Sequence, residues 1–187
     1  MNLINDSDKI YVAGSTGMVG NSICKILHKK GFTIENKKLI TTTKKTLDLR
    51  HQEEVNAWFK KYKPDIVISA AAKVGGIVAN NSQPTEFLLE NLRIQNNLIE
   101  AAWKNKVRRF LFLGSSCIYP KFAKQPIKEE YLLDGPLEET NQCYAIAKIA
   151  GLKLCEALNN QYNFDAISLM PTNLYGPKDN YTNEQSH

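Results

Sequence analysis

The stretch from Lys9 to Lys30 reads KIYVAGSTGMVGNSICKILHKK, and it indicates the fold. Its first five residues are typical of a buried strand, and a helical pattern follows from Met18. Between strand and helix lies the turn Gly14-Ser15-Thr16-Gly17-Met18-Val19-Gly20. The first glycine permits a tight turn, the second lets a pyrophosphate approach the backbone, and the third allows the helix to pack close to the sheet. Because free N–H groups at a helix N-terminus favour an anion, this stretch predicts a turn that binds a dinucleotide.

Apolar runs alternate with helix-period stretches along the rest of the chain, without an internal repeat or a low-complexity linker. Further strands are predicted at residues 38–41, 65–69, 109–113 and 165–170, and further helices at 52–62, 84–104 and 143–162. This alternation predicts βαβ units with right-handed crossovers. We therefore expect an α/β fold of the Rossmann type, with a doubly wound parallel sheet. At 187 residues, it forms a single domain spanning residues 1–187.

The composition excludes several classes of protein. Hydrophobic residues make up 43% and charged residues 23%, which is typical of a globular chain rather than a disordered one. No uncharged apolar run approaches the ~18 residues of a membrane span. The N-terminal stretch contains Asp6 and Asp8 where a signal peptide would be basic and then apolar. We therefore expect a soluble, cytoplasmic protein with no membrane partner.

Charge and cysteine usage exclude two further kinds of site. The net charge is +5, with many lysines in the first 45 residues, which form either a solvated face or a local attraction for a phosphorylated small molecule. Acidic runs in the later half and the lack of aromatic-basic interleaving argue against a nucleic-acid partner. The four cysteines form no CxxC pair, so we expect neither a disulfide framework nor a metal site.

The segment around the second predicted strand bears on the choice between NAD and NADP. An NAD site usually has an acidic residue about 20 residues after the glycines, where it binds the ribose 2′-hydroxyl. Residues 37–45 contain four lysines and three threonines but no Asp or Glu. Ammonium and hydroxyl groups attract a 2′-phosphate that a carboxylate would repel, so NADP(H) is the expected cofactor. The alternative is that these lysines belong to an ordinary solvated loop.

Tyr144 and Lys148 lie one helical turn apart, so their side chains share a side of the last predicted helix. Ser115 follows the strand at 109–113, at the carboxyl edge where open α/β sheets bind ligands. The pKa of a free tyrosine is ~10, and we expect the neighbouring ammonium to lower it. Together the three side chains can hydrogen-bond a substrate carbonyl oxygen and protonate it as a hydride arrives. Without the glycine turn, the Tyr/Lys pair would indicate only an amphipathic helix.

Four segments carry a resemblance to a known family: AAAKVGGI at 70–77, LGSSCIYP at 113–120, YAIAKIAG at 144–151 and PTNLYGP at 171–177. Through them the chain resembles the extended short-chain dehydrogenase/reductases and, among these, the GDP-L-fucose synthase family. The resemblance covers nearly the whole chain from Lys9, and SSCIYP is far more specific than a glycine motif. It implies NADPH-dependent epimerisation at C3 and C5 of GDP-4-keto-6-deoxy-D-mannose and reduction of the 4-ketone to give GDP-L-fucose.

The same resemblance assigns roles to individual residues. It implies that Cys117 is the base and His187 the acid that invert C3 and C5. Ser115, Tyr144 and Lys148 complete the expected catalytic set. The expected cofactor-binding residues are Gly14, Ser15, Thr16, Gly17, Met18, Val19, Gly20, Leu113, Gly114, Ser115, Ser116, Lys148, Pro171, Thr172, Asn173, Leu174 and His187.

The chain departs from the family pattern at the expected 2′-phosphate site. At Thr16 and Thr42 the family often has arginines that bind this phosphate, which leaves Lys44 and Lys45 as substitutes. The resemblance also implies that family members continue well past residue 187. We therefore expect a fold that is C-terminally truncated relative to the family and lacks most of the substrate-binding domain. Such a chain would turn over poorly alone.

Three functions remain open from the sequence. The first is the full epimerase-reductase reaction, or its N-terminal part, on the GDP-4-keto-6-deoxy sugar. The second is a reductase-only relative that acts on another GDP-4-keto sugar, such as a GDP-heptose. The third is a non-catalytic NADP-binding module. An intact protein is expected to form a homodimer through its long helices.

Overall fold

Residues 3–179 are described by the structure, which is a computed structural model. The strands are β1 Ile10–Ala13, β2 Leu39–Thr41, β3 Ile66–Ser69, β4 Arg109–Leu113 and β5 Ala166–Leu169. The helices are α1 Met18–Lys29, α2 Gln52–Tyr62, α3 Ile77–Ser82, α4 Pro84–Lys104 and α5 Gln142–Tyr162. All the predicted strands and helices are confirmed to within one residue at each end. The sequence did not predict α3 or the short 3₁₀ turns, because six residues or fewer hold too little periodicity to detect.

The five strands form one parallel sheet in the order β2-β1-β3-β4-β5. The chain passes from β1 to β2 on one side, and β3, β4 and β5 follow on the other side of β1. This reversal is the switch point of a doubly wound sheet, which confirms the predicted Rossmann-type α/β fold. Gly14 and Ala70 directly follow β1 and β3, so the two strands that flank the switch point open at the same edge.

One face of the sheet is covered across all five strands. Helices α2, α4 and α5 pack on that face, and their apolar side chains form a continuous core with Tyr11, Val67 and Phe110 of the strands. In α4, Leu98 and Ala102 recur at helical spacing and are fully buried. The apolar stripe of each long helix therefore explains why it lies on the sheet.

The opposite face is covered over only part of its width. Helix α1 packs there on β1, β2 and β3. The register of β4 and β5 places Leu111 beside Ile167 and Leu113 beside Leu169. Leu111 contacts the edge of the α1 cluster, whereas Ile167 and Leu169 are 38% and 48% exposed. We call Ile167 and Leu169 the bare patch, since no helix among residues 3–179 covers them, although strands of parallel sheets are usually buried on both faces.

Two features of the described chain bear on metals and membranes. Among residues 3–179, no group of His, Cys, Asp and Glu side chains is arranged to hold a metal ion. The four cysteines are free thiols. No helix in this range combines the length and the apolar character needed to cross a membrane.

Candidate active site

An open cleft of ≈ 730 Å³ lies at the carboxyl edge of the sheet, within the size range of ligand sites. The predicted site residues that line it are Gly14, Thr16, Gly17, Met18, Val19, Gly20, Leu113, Gly114, Ser115, Ser116, Cys117, Tyr144, Lys148, Pro171, Thr172, Asn173 and Leu174. Ser15 is not part of the wall, and its hydroxyl donates to the carbonyl oxygen of Thr42 (3.3 Å). His187 lies outside the described residues. The fold thus brings together segments that are up to 160 residues apart.

The glycine turn fits a pyrophosphate. Gly14 has φ +81°, and a Cβ there would lie 2.6 Å from the backbone of Ala70. A Cβ at Gly20 would lie 2.1 Å from the carbonyl oxygen of Gly14, so α1 packs against the turn only because this residue is glycine. A Cβ at Gly17 would make one ordinary contact of 3.6 Å. No acidic side chain lies in the first turn of α1 and no side chain caps it, which leaves its N–H groups for an anion.

The residues around the end of β2, where a 2′-phosphate site was expected, differ in whether they line the cleft. The hydroxyl of Thr42 is paired with the hydroxyl of Tyr11 (2.7 Å), whose pKa burial raises to about 12. Thr42 therefore joins β2 to β1. Thr42, Thr43 and Lys44 line the cleft, as Thr16 does. Lys45 does not line the cleft, so of the two expected substitute lysines only Lys44 lies in its wall.

A network of charged residues that sequence reasoning missed also lines the cleft. Arg50 donates to Asp48 through Nε (2.9 Å) and Nη2 (2.6 Å), and to Glu90 of α4 through Nη1 (3.3 Å). The Arg50 guanidinium holds the pKa of the Asp48 carboxyl well below its usual range. The ammonium of Lys73 lies 3.9 Å from Glu90. Arg50 and Glu90 are forty residues apart, so no local pattern in the sequence points to this pairing.

A buried amide of α4 fixes the loop that follows β3. The Oδ1 of Asn91 accepts the backbone N–H of Lys73 (2.8 Å), and its Nδ2 donates to the Lys73 carbonyl oxygen (3.0 Å). Asn91 is 2% exposed. The signal available in the sequence was a polar residue on the apolar stripe of α4, four positions after Phe87, because a buried amide needs partners.

The structure brings the predicted reactive side chains onto one wall of the cleft. The Nζ of Lys148 donates to the carbonyl oxygen of Leu113 (2.8 Å), and it lies 5.8 Å from the centroid of the Tyr144 ring. It also lies 5.0 Å from the ring centroid of Phe112 of β4. The Phe87 ring of α4 packs edge-on against Tyr144, with the centroids 6.4 Å apart. Helix α5 is thus anchored to the sheet on one side and to α4 on the other.

Burial sets the protonation of this pair, and it corrects the expectation that Lys148 lowers the pKa of Tyr144. Burial raises the pKa of the Tyr144 phenol, and the charge of a Cys117 thiolate adds to the rise. Burial lowers the pKa of Lys148 to about 8. Both shifts have the same cause, because a charged group loses its hydration in this wall. Tyr144 therefore holds its proton at neutral pH, while Lys148 is close to its titration point.

Cys117 lies in a 3₁₀ turn, Ser116–Ile118, that directly follows Ser115 and begins three residues after the end of β4. Its backbone N–H donates to the Oγ of Ser115 (3.5 Å). Burial raises the pKa of the Cys117 thiol, while a hydrogen bond with Ser115 and the charge of Lys148 act in the opposite direction. The turn is tied to the loop after β5, since the N–H of Ser116 donates to the carbonyl oxygen of Pro171 (3.1 Å).

The arrangement combines an anion-binding turn with a proton donor, a hydroxyl, a thiol and an ammonium. The turn contributes backbone N–H groups on one side of the cleft. Tyr144 and Ser115 can hydrogen-bond one carbonyl oxygen on the other side, and Lys148 supplies positive charge near it. Chemically, the site suits reduction of a ketone and proton exchange at the carbons beside it.

The sequence profile of the NAD dependent epimerase/dehydratase family matches residues 10–187. The GDP-L-fucose synthase 1 of Arabidopsis thaliana is 55% identical over 181 residues, which is 97% of this chain and 55% of that protein. The chain spans about half the length of the curated relatives it matches.

Solved structures with the same fold carry NADP. A GDP-L-fucose synthetase from Naegleria fowleri bound to NADP superposes with a TM-score of 0.87 at 32% identity, over 98% of this chain and 59% of that one. The GDP-mannoheptose C4 reductase of Campylobacter jejuni, with NADP bound, superposes with a TM-score of 0.89 at 41% identity, over 95% and 55%.

Proposed function

The chain belongs to the NAD dependent epimerase/dehydratase family, and from that premise we propose that it binds NADP(H) and acts on GDP-4-keto-6-deoxy-D-mannose. The reaction inverts C3 and C5 and reduces the 4-ketone to give GDP-L-fucose. The observation that carries the proposal is the convergence of Ser115, Cys117, Tyr144 and Lys148 on a cleft that also contains the glycine turn. Because the chain spans about half of its relatives, the proposal concerns its part in that reaction.

The residues that would hold NADP(H) run along the cleft. The N–H groups at the start of α1 would bind the pyrophosphate, with Gly17 open to its approach. Lys44, which lines the same cleft as Thr16, would bind the 2′-phosphate. The loop after β5, residues 171–174, and Lys148 would bind the nicotinamide half. When bound, NADPH would supply a hydride to the ketone carbon.

In the proposed reduction, Tyr144 is the proton donor. Because burial raises the pKa of its phenol, Tyr144 is protonated at neutral pH and donates to the ketone oxygen. Ser115 donates a second hydrogen bond to the same oxygen. The Lys148 ammonium then stabilises the charge left on the phenolate. Positioned proton transfer of this kind contributes roughly 10²–10⁴ in rate.

In the proposed epimerisation, Cys117 exchanges protons with C3 and C5 of the sugar. A 4-ketone acidifies the hydrogens on both neighbouring carbons, and inversion removes a proton from one face and returns it to the other. Cys117 would act as the base, and His187, which lies outside the described residues, as the acid. The enolate oxygen would be held by Ser115 and Tyr144. Because burial raises the pKa of the thiol, exchange should speed up as pH rises above neutrality.

A second function is supported by one comparison. The GDP-mannoheptose C4 reductase resembles this chain at 41% identity, so a reductase-only relative that acts on a GDP-heptose is the main alternative. Ser115, Tyr144 and Lys148 serve both reactions, whereas a base at Cys117 serves only epimerisation. A third possibility is a non-catalytic NADP-binding module. For an intact protein we also propose a cytoplasmic homodimer through the long helices.

The direct test is incubation of the 187-residue chain with NADPH and GDP-4-keto-6-deoxy-D-mannose in D₂O. We expect tight NADPH binding by fluorescence titration and slow turnover. Deuterium at C3 and C5 of the sugar would support epimerisation, and NADPH oxidation without deuterium would support the reductase alternative. Binding without either reaction at high enzyme concentration would leave the binding module, and no binding would refute the proposal.

Cys117→Ser separates the two reactions within the site. The variant should lose deuterium uptake at C3 and C5 and keep hydride transfer to an already epimerised 4-keto sugar. Cys24→Ser, a half-buried thiol on α1, is the matched control and should keep both. Equal loss of both reactions in Cys117→Ser would contradict the role of the thiol as a base.

A further inference from the structure

Helix α4 contacts the reactive turn of α5 through a buried amide. Gln95 of α4 is 3% exposed, and its Nε2 donates a hydrogen bond of 2.6 Å to the carbonyl oxygen of Ala147. Ala147 directly precedes Lys148 and comes three residues after Tyr144. The hydrogen bond therefore reaches the helical turn that carries both reactive side chains.

The surface of α5 is shaped to admit this amide. A Cβ at Gly151 would lie 2.8 Å from the Cδ of Gln95 and 2.6 Å from the Cζ of Phe112, so a larger residue at 151 would displace one of them. The Phe112 ring also faces the Lys148 ammonium, with the Nζ 5.0 Å from the ring centroid. Gln95, Gly151, Phe112 and Lys148 thus form one packed unit between α4, α5 and β4.

Packing between α4 and α5 does not by itself require an amide side chain at position 95. The Oε1 of Gln95 is buried and has no hydrogen-bond partner among the residues that the structure describes. A buried acceptor without a partner destabilises the folded protein. The carbonyl oxygen of Ala147 lies inside α5, where the helix supplies its own donor. A methionine would fill a similar volume without the unpaired oxygen, so stability alone does not explain a glutamine here.

We infer that Gln95 is a positioning residue, whose hydrogen bond to Ala147 fixes the height of the Tyr144–Lys148 turn above the sheet. Apolar contacts between α4 and α5 are non-directional and permit small sliding movements. The 2.6 Å hydrogen bond from Gln95 to Ala147 is directional and opposes such sliding. In the position that it fixes, the Nζ of Lys148 reaches the carbonyl oxygen of Leu113. The inference rests on the proposed function in one respect, which is that Lys148 has a role in the reaction.

Gln95→Met tests the inference in the 187-residue chain without coenzyme or substrate. We expect Tm to stay the same or rise, because the unpaired oxygen is removed. A ¹³Cε NMR titration, with the Lys148 signal assigned from Lys148→Met, should move its midpoint upward by about half a pH unit or more, because a less buried lysine is better hydrated. An unchanged midpoint would overturn the inference, whatever happens to Tm.

Gln95→Asn is the second variant, and it covers the case in which Gln95→Met does not fold. It keeps the amide but is one methylene shorter, so it cannot span the distance to Ala147 and leaves a small cavity. Its Tm should fall while the Lys148 midpoint again moves upward. A midpoint that moved in only one variant would make Gln95 a packing residue.

Two titratable groups face Lys148 among the described residues, Tyr144 on α5 and Cys117 on the 3₁₀ turn. Each variant is therefore also titrated in the Cys117→Ser background, where an upward movement must persist. The titration involves neither NADPH nor a sugar, so failure of the proposed function would leave this result standing. Failure of the titration would in turn leave the proposed function standing.

Discussion

The two halves of the sheet are covered to different extents. Strands β1, β2 and β3 have helices on both faces, and Val12 and Ile68 on the α1 side are 0% and 8% exposed. Among residues 3–179, helices pack on only one face of strands β4 and β5, and Ile167 and Leu169 on the other face are 38% and 48% exposed. Both halves belong to one parallel sheet, so the difference lies in what packs on them and not in the strands themselves.

The proposed coenzyme-binding residues and the proposed catalytic residues lie on different halves of the sheet. The glycine turn extends from β1, in the half that is complete on both faces. Ser115 and Cys117 follow β4, and Lys148 is anchored to that strand, in the half that contains the bare patch. We therefore expect coenzyme binding to depend mainly on the half of the sheet that has helices on both faces.

The largest effect on stability is expected where Gly20 of α1 packs against Gly14, in the half of the sheet with helices on both faces. Gly20→Ala would place a Cβ 2.1 Å from the carbonyl oxygen of Gly14, and backbone atoms there have no room to move. We expect a loss of about 3 kcal/mol or more in the free energy of unfolding, measured by urea denaturation. Gly17→Ala is the control, because its Cβ would meet only one atom at 3.6 Å. It should keep the fold and weaken NADPH binding. An equal loss of stability in both variants would contradict the assigned role of Gly20.

The comparison itself is tested by the same substitution on each half. Ile68→Thr in the covered half should lower the free energy of unfolding by about 2 kcal/mol, because it removes buried apolar surface and buries a hydroxyl. Ile167→Thr in the bare patch should change it by no more than about 0.5 kcal/mol. Urea denaturation of both variants measures the difference. Equal losses would mean that the patch is covered in solution, for instance by self-association, which sedimentation would reveal.

The pH dependence of ketone reduction tests the half of the sheet that positions the proposed catalytic residues. The pKa of Lys148 is lowered to about 8, so its ammonium is present below that pH and lost above it. At saturating NADPH, the rate of hydride transfer should fall as pH rises through 8, by up to about tenfold per pH unit. Deuterium exchange by Cys117 should change in the opposite direction. A reduction rate that stays level to pH 10 would exclude a required Lys148 charge.

The smallest effect is expected at the outer end of the cleft. Lys44→Ala should weaken NADPH binding about fivefold, since one partly solvated charge is worth about 1 kcal/mol, and should leave NADH binding unchanged. Lys45→Ala is the matched control, because the neighbouring lysine does not line the cleft. Fluorescence titrations at low salt measure both. The same loss in Lys45→Ala would mean that the lysines act only through the overall charge of the loop.

The elements with a long-range pattern were predictable. Strands such as 109–113 and the helix from Pro84 were predicted within one residue of their bounds, because each buries a continuous apolar run or stripe. Helix α3 was not, since six residues hold too little periodicity. Among the site residues, the glycine turn and the Tyr144–Lys148 spacing were visible because each is local in sequence.

Other parts of the site depend on residues that meet only in three dimensions. The pairing of Arg50 with Glu90 joins positions forty residues apart, and Gln95 meets Ala147 across fifty-two. The direction of the Tyr144 pKa was predicted wrongly, because the sequence shows the neighbouring charge but not the burial that outweighs it. The roles of His187 and of a second copy of the chain stay predictions.

The order of strands and helices, the glycine turn and the proposed reactive side chains could be read from the sequence, because apolar periodicity and local motifs extend over only a few residues. Only the tertiary structure decided which lysine lies in the cleft, in which direction burial shifts the pKa values of Tyr144 and Lys148, and which face of β4 and β5 has no helix among residues 3–179. Those properties depend on distance and solvent exclusion, and both are set by segments far apart in the chain.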